Sequence, residues 1–97
     1  MILSLDPSTS AQLLDDRNFR ALKVTAPSGI DLSAMLAPVG TRSGDHVWLS
    51  VQRLKEMGPV DADWSRGFDA MIAYADEAGW VSADKTLVRA HLEFTAG

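Results

Sequence analysis

Two histidines, a glycine-flanked loop and a short basic cluster are the parts of this sequence whose residue types could do chemistry. His46 follows Asp45, and His91 shares a strand face with Glu93 two residues on. Histidine is the commonest acid–base side chain. A metal site wants three or four convergent ligands, however, and two histidines with scattered carboxylates fall short of that. Asp45 and His46 do not form a dyad, because neighbours on a strand point to opposite faces. Residues 40–44, GTRSG, could cradle an anion with backbone N–H groups, helped by Thr41, Arg42 and Ser43. Asp45 stands where a P-loop has lysine, and its charge would repel that anion. Arg17, Arg20 and Lys23 are the one concentration of positive charge. With Asp15 and Asp16 beside them and no interleaved stacking aromatics, they read as a solvated edge. The sequence has no GxSxG elbow, no HExxH and no dinucleotide fingerprint.

The aromatic residues offer a different chemistry, that of contact. Trp64 belongs to a core stripe and Trp80 to a helix end, but Trp48 has no obvious core slot. Aromatic side chains left over from a core are enriched at interfaces. Tyr74 shares a helix with the small residues Ala70 and Ala73, which suit a helix–helix contact, and Gly67 beside them lets another group come close.

Composition narrows the field. The chain has 97 residues, 46% hydrophobic and 23% charged, which is the make-up of one globular domain rather than a disordered segment. It has no cysteine, so disulfides, thiolate metal sites and cysteine nucleophiles are excluded. A net charge of −4 and a pI near 4.9 argue against a nucleic-acid binder, which needs a basic face to displace counterions. No apolar run approaches a membrane span, and the start MILSLDPSTS lacks a basic n-region, so the cytoplasm is the expected compartment.

The elements that must position these residues centre on 61–80. Trp64, Phe68, Met71, Ile72 and Ala75 recur at helical spacing as one apolar stripe, with Arg66, Asp69, Ala73, Asp76 and Glu77 opposite. Asp61 or Asp63 can cap its start, and Gly79 with Trp80 can close its end in a left-handed turn. Upstream, residues 2–5 read as a strand, and Asp6-Pro7 opens a short helix through Leu13 and Leu14. Residues 19–25 read as a second strand, 26–29 as a turn, and Asp31 as the cap of a brief helix stopped before Pro38. Residues 39–44 are the most loop-like stretch. Residues 46–57 read best as a strand to Leu49, then a helix to Met57 closed by Gly58 as a C′ residue. In 86–94, Val88, Ala90, Leu92 and Phe94 alternate with Arg89, His91 and Glu93, a strand with one covered face.

The order strand, helix, turn, longer helix, hairpin over 46–94 resembles a winged helix. The stretch 77–94, EAGWVSADKTLVRAHLEF, is similar to the passage from recognition helix to wing. The resemblance implies DNA binding, yet the exposed face of the longer helix sets Arg66 against Asp69, Asp76 and Glu77, and the wing has only Lys85 beside Asp84.

These readings give a single α+β domain over 1–97, with helices on a short, mostly antiparallel sheet and a winged-helix-like C-terminal half. The expected function is a non-enzymatic cytoplasmic interaction module, bound to a protein partner or to itself. Its expected binding residues are Trp48, Tyr74, Ala70, Ala73, Arg42 and His91, with no cofactor or metal. The alternatives are a winged-helix regulator, and a small-molecule binder or small enzyme using 39–44 and His91.

Overall fold

The computed structural model describes residues 1–6, 10–29, 31 and 33–95. Six strands and three helices follow one another as β1 (Ile2–Asp6), β2 (Ser10–Leu14), β3 (Lys23–Pro27), α1 (Ser33–Leu36), β4 (Gly40–Ser43), β5 (His46–Ser50), α2 (Val51–Met57), α3 (Ala62–Glu77) and β6 (Leu87–Thr95). The strands form one sheet in the order β2-β1-β3-β6-β5-β4. β3 runs parallel to both β1 and β6, and the other neighbours are antiparallel. On one face Leu3, Leu5, Val24, Ala26, Val47, Leu49, Val88, Ala90 and Leu92 are buried against Leu54 of α2 and Trp64, Phe68, Met71 and Ala75 of α3. The alternate residues, including Ile2, Thr25, His46, Trp48 and Arg89, stay half-buried on a face that no helix covers.

The expected fold class is therefore corrected. The sheet is not short and mostly antiparallel but a six-stranded mixed sheet with two parallel pairings. The winged-helix likeness fails with it. β6, expected to pair with residues 80–82 as a wing hairpin, lies inside the sheet between β3 and β5. It meets residues 80–82 at the bridge of Val81 with Val88, the flanking bonds Arg89 N–H to Trp80 carbonyl and Ser82 N–H to Leu87 carbonyl, and the bond from Leu87 N–H to the Ser82 hydroxyl.

The local reasons for the other differences are physical. The expected helix through Leu13 and Leu14 is β2, because two adjacent leucines make no helical stripe, whereas pairing with β1 satisfies the backbone of both strands. Pro7 lies outside the described residues. The second strand begins later, at Lys23, and takes in Ala26 and Pro27, leaving the turn to Ser28 and Gly29. The expected loop over 39–44 is largely β4, paired residue for residue with β5. Gly40 allows it: a Cβ there would strike the Trp48 carbonyl oxygen. Gly44, at φ +62, occupies the first central position of the hairpin, where a type II′ turn requires glycine.

Other expectations hold. The strand over 46–49 passes into α2 at Ser50, whose side chain accepts from the Arg53 N–H at 3.2 Å. Asp61 caps α3, accepting from the N–H groups of Asp63 and Trp64 at 2.8 and 3.4 Å. The brief helix appears as α1, where Asp31 accepts from Ser33 N–H at 2.9 Å. Gly58 follows α2 but is not left-handed; its backbone is extended, at φ −83. Glycine is needed there for another reason, because a Cβ would run into the six-membered ring of Trp64. That ring is 1% exposed and stacked on Phe68 at 5.2 Å, so it has nowhere to go. Gly58→Ala is therefore expected to lower stability by about 2 kcal/mol, as overpacking does. Urea unfolding checks this, and an unchanged midpoint would mean that the ring has room to move.

Candidate functional site

A concave surface lies beside α3, and a loop far away in sequence builds half of it. The connection over 15–22 is held by its own bonds and by its neighbours. Asp15 adopts φ +50 and its carbonyl accepts from Asn18 N–H at 3.1 Å, while the Asn18 side chain accepts from Arg20 N–H at 3.2 Å. The Met1 ammonium donates to the carbonyls of Asn18 and Ala21 at 2.7 and 2.8 Å. The Trp64 indole N–H donates to the Asp16 carbonyl at 2.7 Å, and Arg17 pairs with Asp61 at 3.0 Å. That guanidinium, followed by the two capping N–H groups, holds the Asp61 carboxyl below its ordinary pKa.

So fixed, the loop lays Phe19 across Gly67 of α3. A Cβ on Gly67 would overlap the Phe19 ring, which explains a glycine inside a helix, where it costs about 1 kcal/mol relative to alanine. The result is a groove of about 540 Å³ with Gly67, Ala70 and Met71 as its floor, Phe19 and Tyr74 as walls and Arg20 on its rim. Tyr74 is 65% exposed and meets Trp80, itself 42% exposed, edge to face at 6.5 Å. The lining offers dispersion, ring faces and one guanidinium.

Trp80 is placed by the end of α3. Gly79 at φ +83 lets Trp80 N–H reach the Ala75 carbonyl at 2.8 Å while its own N–H reaches that of Asp76 at 3.1 Å, a Schellman stop. The turn that follows is tied back to the helix by Lys85, whose ammonium meets both Asp76 oxygens at 2.6 and 2.7 Å. Within that turn Asp84 accepts from the hydroxyls of Ser82 and Thr86 at 2.6 and 2.7 Å, then from Thr86 N–H at 3.1 Å. These bonds favour the ionised form and pull the Asp84 carboxyl down to about 2.

The expected binding residues divide among separate surfaces. Ala70 and Tyr74 line the groove and Ala73 is exposed on the same helix. Trp48 and His91 lie on the uncovered sheet face, Trp48 across from Arg89 and His91 across from His46, ring centroids 6.0 Å apart. Arg42 is on the helix side, in register with buried Val47, its guanidinium 5.3 Å from the centroid of the Phe94 ring. The sheet thus separates Arg42 from His91, and the pocket expected between 39–44 and His91 does not form. The GTRSG segment is hairpin rather than anion loop; Arg42 donates to the Gly44 carbonyl at 3.0 Å, and Asp31 lines the same hollow of about 440 Å³.

Arg17, Arg20 and Lys23 do not make one patch. Arg17 is on Asp61, Lys23 on Glu93 at 3.3 Å across the open face, and Arg20 on the groove rim with no ion pair among the described residues. Among the described residues no three His, Cys, Asp or Glu are grouped to hold a metal ion. No described helix is long and apolar enough to cross a membrane. Phe19 escaped sequence reasoning and Arg20 was read only as part of a solvated edge; the one signal that pointed to a contact here was Gly67.

No protein-family model, curated protein or solved structure matches the chain.

The Asp84 carboxyl carbon is expected to titrate near pH 2 in the NMR spectrum, and Ser82→Ala should move it up towards the ordinary 3.8. Since folding depresses this pKa, its stabilising contribution is complete above about pH 3.8 and is lost as the pH falls through about 2.

Proposed function

We propose that this chain is a non-enzymatic interaction module that takes an apolar side chain of a protein partner, with a carboxylate next to it, into the groove between Phe19 and Tyr74. One observation carries the reading: among the described residues Arg20 is the single charged side chain on an otherwise apolar and aromatic lining. The exposed Tyr74 ring and the half-buried Phe19 ring around a floor of Gly67, Ala70 and Met71 suit an inserted anchor, since aromatic surface offers large contact area at little conformational cost. A guanidinium at the rim adds a fork of donors that fits a carboxylate. The other cations on or against α3 are paired with carboxylates of the helix: Lys55 meets Asp69 at 2.9 Å, Lys85 meets Asp76, and Arg66 meets Asp63. The reading takes the cytoplasm as the compartment, which suits a cysteine-free domain held by packing alone.

Selection from a random peptide library on the purified protein tests this. Enriched peptides are expected to share an apolar residue beside Asp or Glu. Their affinity should fall by about tenfold, ~1.4 kcal/mol, on Arg20→Glu and at least as far on Tyr74→Ala, with melting temperatures little changed. Absence of enrichment, or peptides that bind the Arg20→Glu protein equally well, would overturn it.

A further inference from the structure

The two outer strands of the sheet are guarded very differently. A free sheet edge presents unpaired N–H and C=O groups, and proteins blunt it with charge, proline, a bulge, short length or a cover. β4, at one edge, has four residues and carries Arg42; each edge strand has a short helix beside it, α1 at β4 and α2 at β2. β2, at the other, has five residues, SAQLL, with no charge and no proline. It pairs with β1 without a bulge through all five positions, from Ile2 with Leu14 to Asp6 with Ser10. Every second residue of such a strand turns its backbone groups away from its one neighbour. Among the described residues no strand receives them.

We propose that β2 is a self-association edge: two copies pair their β2 strands antiparallel about a two-fold axis through Gln12, joining their sheets into one of twelve strands. The sequence of β2 is complementary to itself in that register. Ala11 of one copy falls opposite Leu13 of the other, a small residue against a large one, on both sides of the axis. Gln12 meets Gln12, two amides that can donate and accept in turn. In a chain of net charge −4, this is a strand on which no like charges oppose each other. The apolar surface asks for the same cover. Leu14 is 44% exposed, and on the helix side Ala11 borders a groove of about 460 Å³ whose lining sets Met35, Val39 and Met57 beside Asp6 and Arg53. Leu13 of the second copy, set against Ala11, lies at the mouth of that groove. A single strand pairing falls below the standard interface size, so the dimer dissociates in the micromolar range and depends on concentration.

Sedimentation velocity from low micromolar to about millimolar protein is the test. The wild type is expected to pass from monomer to dimer. Gln12 is exposed, so Gln12→Glu and Gln12→Lys leave the fold intact, which circular dichroism verifies, but each sets like charges across the axis and should stay monomeric. Mixed in equal amounts, the two variants should dimerise at least as well as the wild type. Tyr74→Ala should dimerise unchanged, which separates this edge from the α3 groove. A wild type monomeric throughout would overturn the proposal. So would a dimer indifferent to both substitutions, or variants whose mixture remains monomeric.

Discussion

The burial of Trp64 is the interaction on which the rest of the structure depends. Its ring is sealed between Phe68, stacked at 5.2 Å, and Phe19, tilted at 6.2 Å, with Gly58 giving up a side chain to make room. Its one polar atom reaches 48 residues back to the Asp16 carbonyl. A buried indole with an unpaired N–H would forfeit much of what its burial gains, so ring and loop are fixed together. Truncating a buried tryptophan costs roughly 3–5 kcal/mol, a large share of a small domain's stability. Through Trp64 the connection 15–22 becomes part of the helix layer, and Phe19 and Arg20 reach the side of α3.

What could be read in the sequence was whatever is decided within a few residues. The stripe, cap and glycine stop of α3, the change from β5 to α2 at Ser50 and the alternation of β6 are local patterns with local causes. β2 and β4 were not legible, because SAQLL and GTRS carry no strand signature and are strands only through their neighbours. The parallel pairings of β3 were hidden for the same reason: nothing in 23–27 states that its partners are residues 2–4 and 91–95. Over 46–94 the first strand, the two helices and the last strand were legible, but the expected hairpin is only a bridge, and the N-terminal strands supply the other neighbour of β6. Phe94 shows the limit of alternation itself. It keeps the core-side phase of Leu92 but lies beyond the end of the β5–β6 pairing, and it is exposed under Arg42.

The candidate site was half legible. Ala70 and Tyr74 stood out as outward residues of a reliable helix, and Gly67 as an anomaly in it. The other half of the groove comes from a loop whose position rests on long-range hydrogen bonds, beyond the reach of any periodicity. The three tryptophans illustrate the same division. Trp64 and Trp80 have duties that helix geometry dictates, whereas Trp48 takes its place on the uncovered face only because β5 pairs on both sides.

The position of β6 bears on how the chain is made. The last strand is an inner one, joining β1–β3 to the β4–β5 hairpin through pairs as distant in sequence as Lys23 with His91. During synthesis, β3 and β5 must wait with bare edges until residues 87–95 have left the ribosome. Until then the apolar faces of two half-sheets are exposed to other nascent chains, and closing such distant pairs is slow.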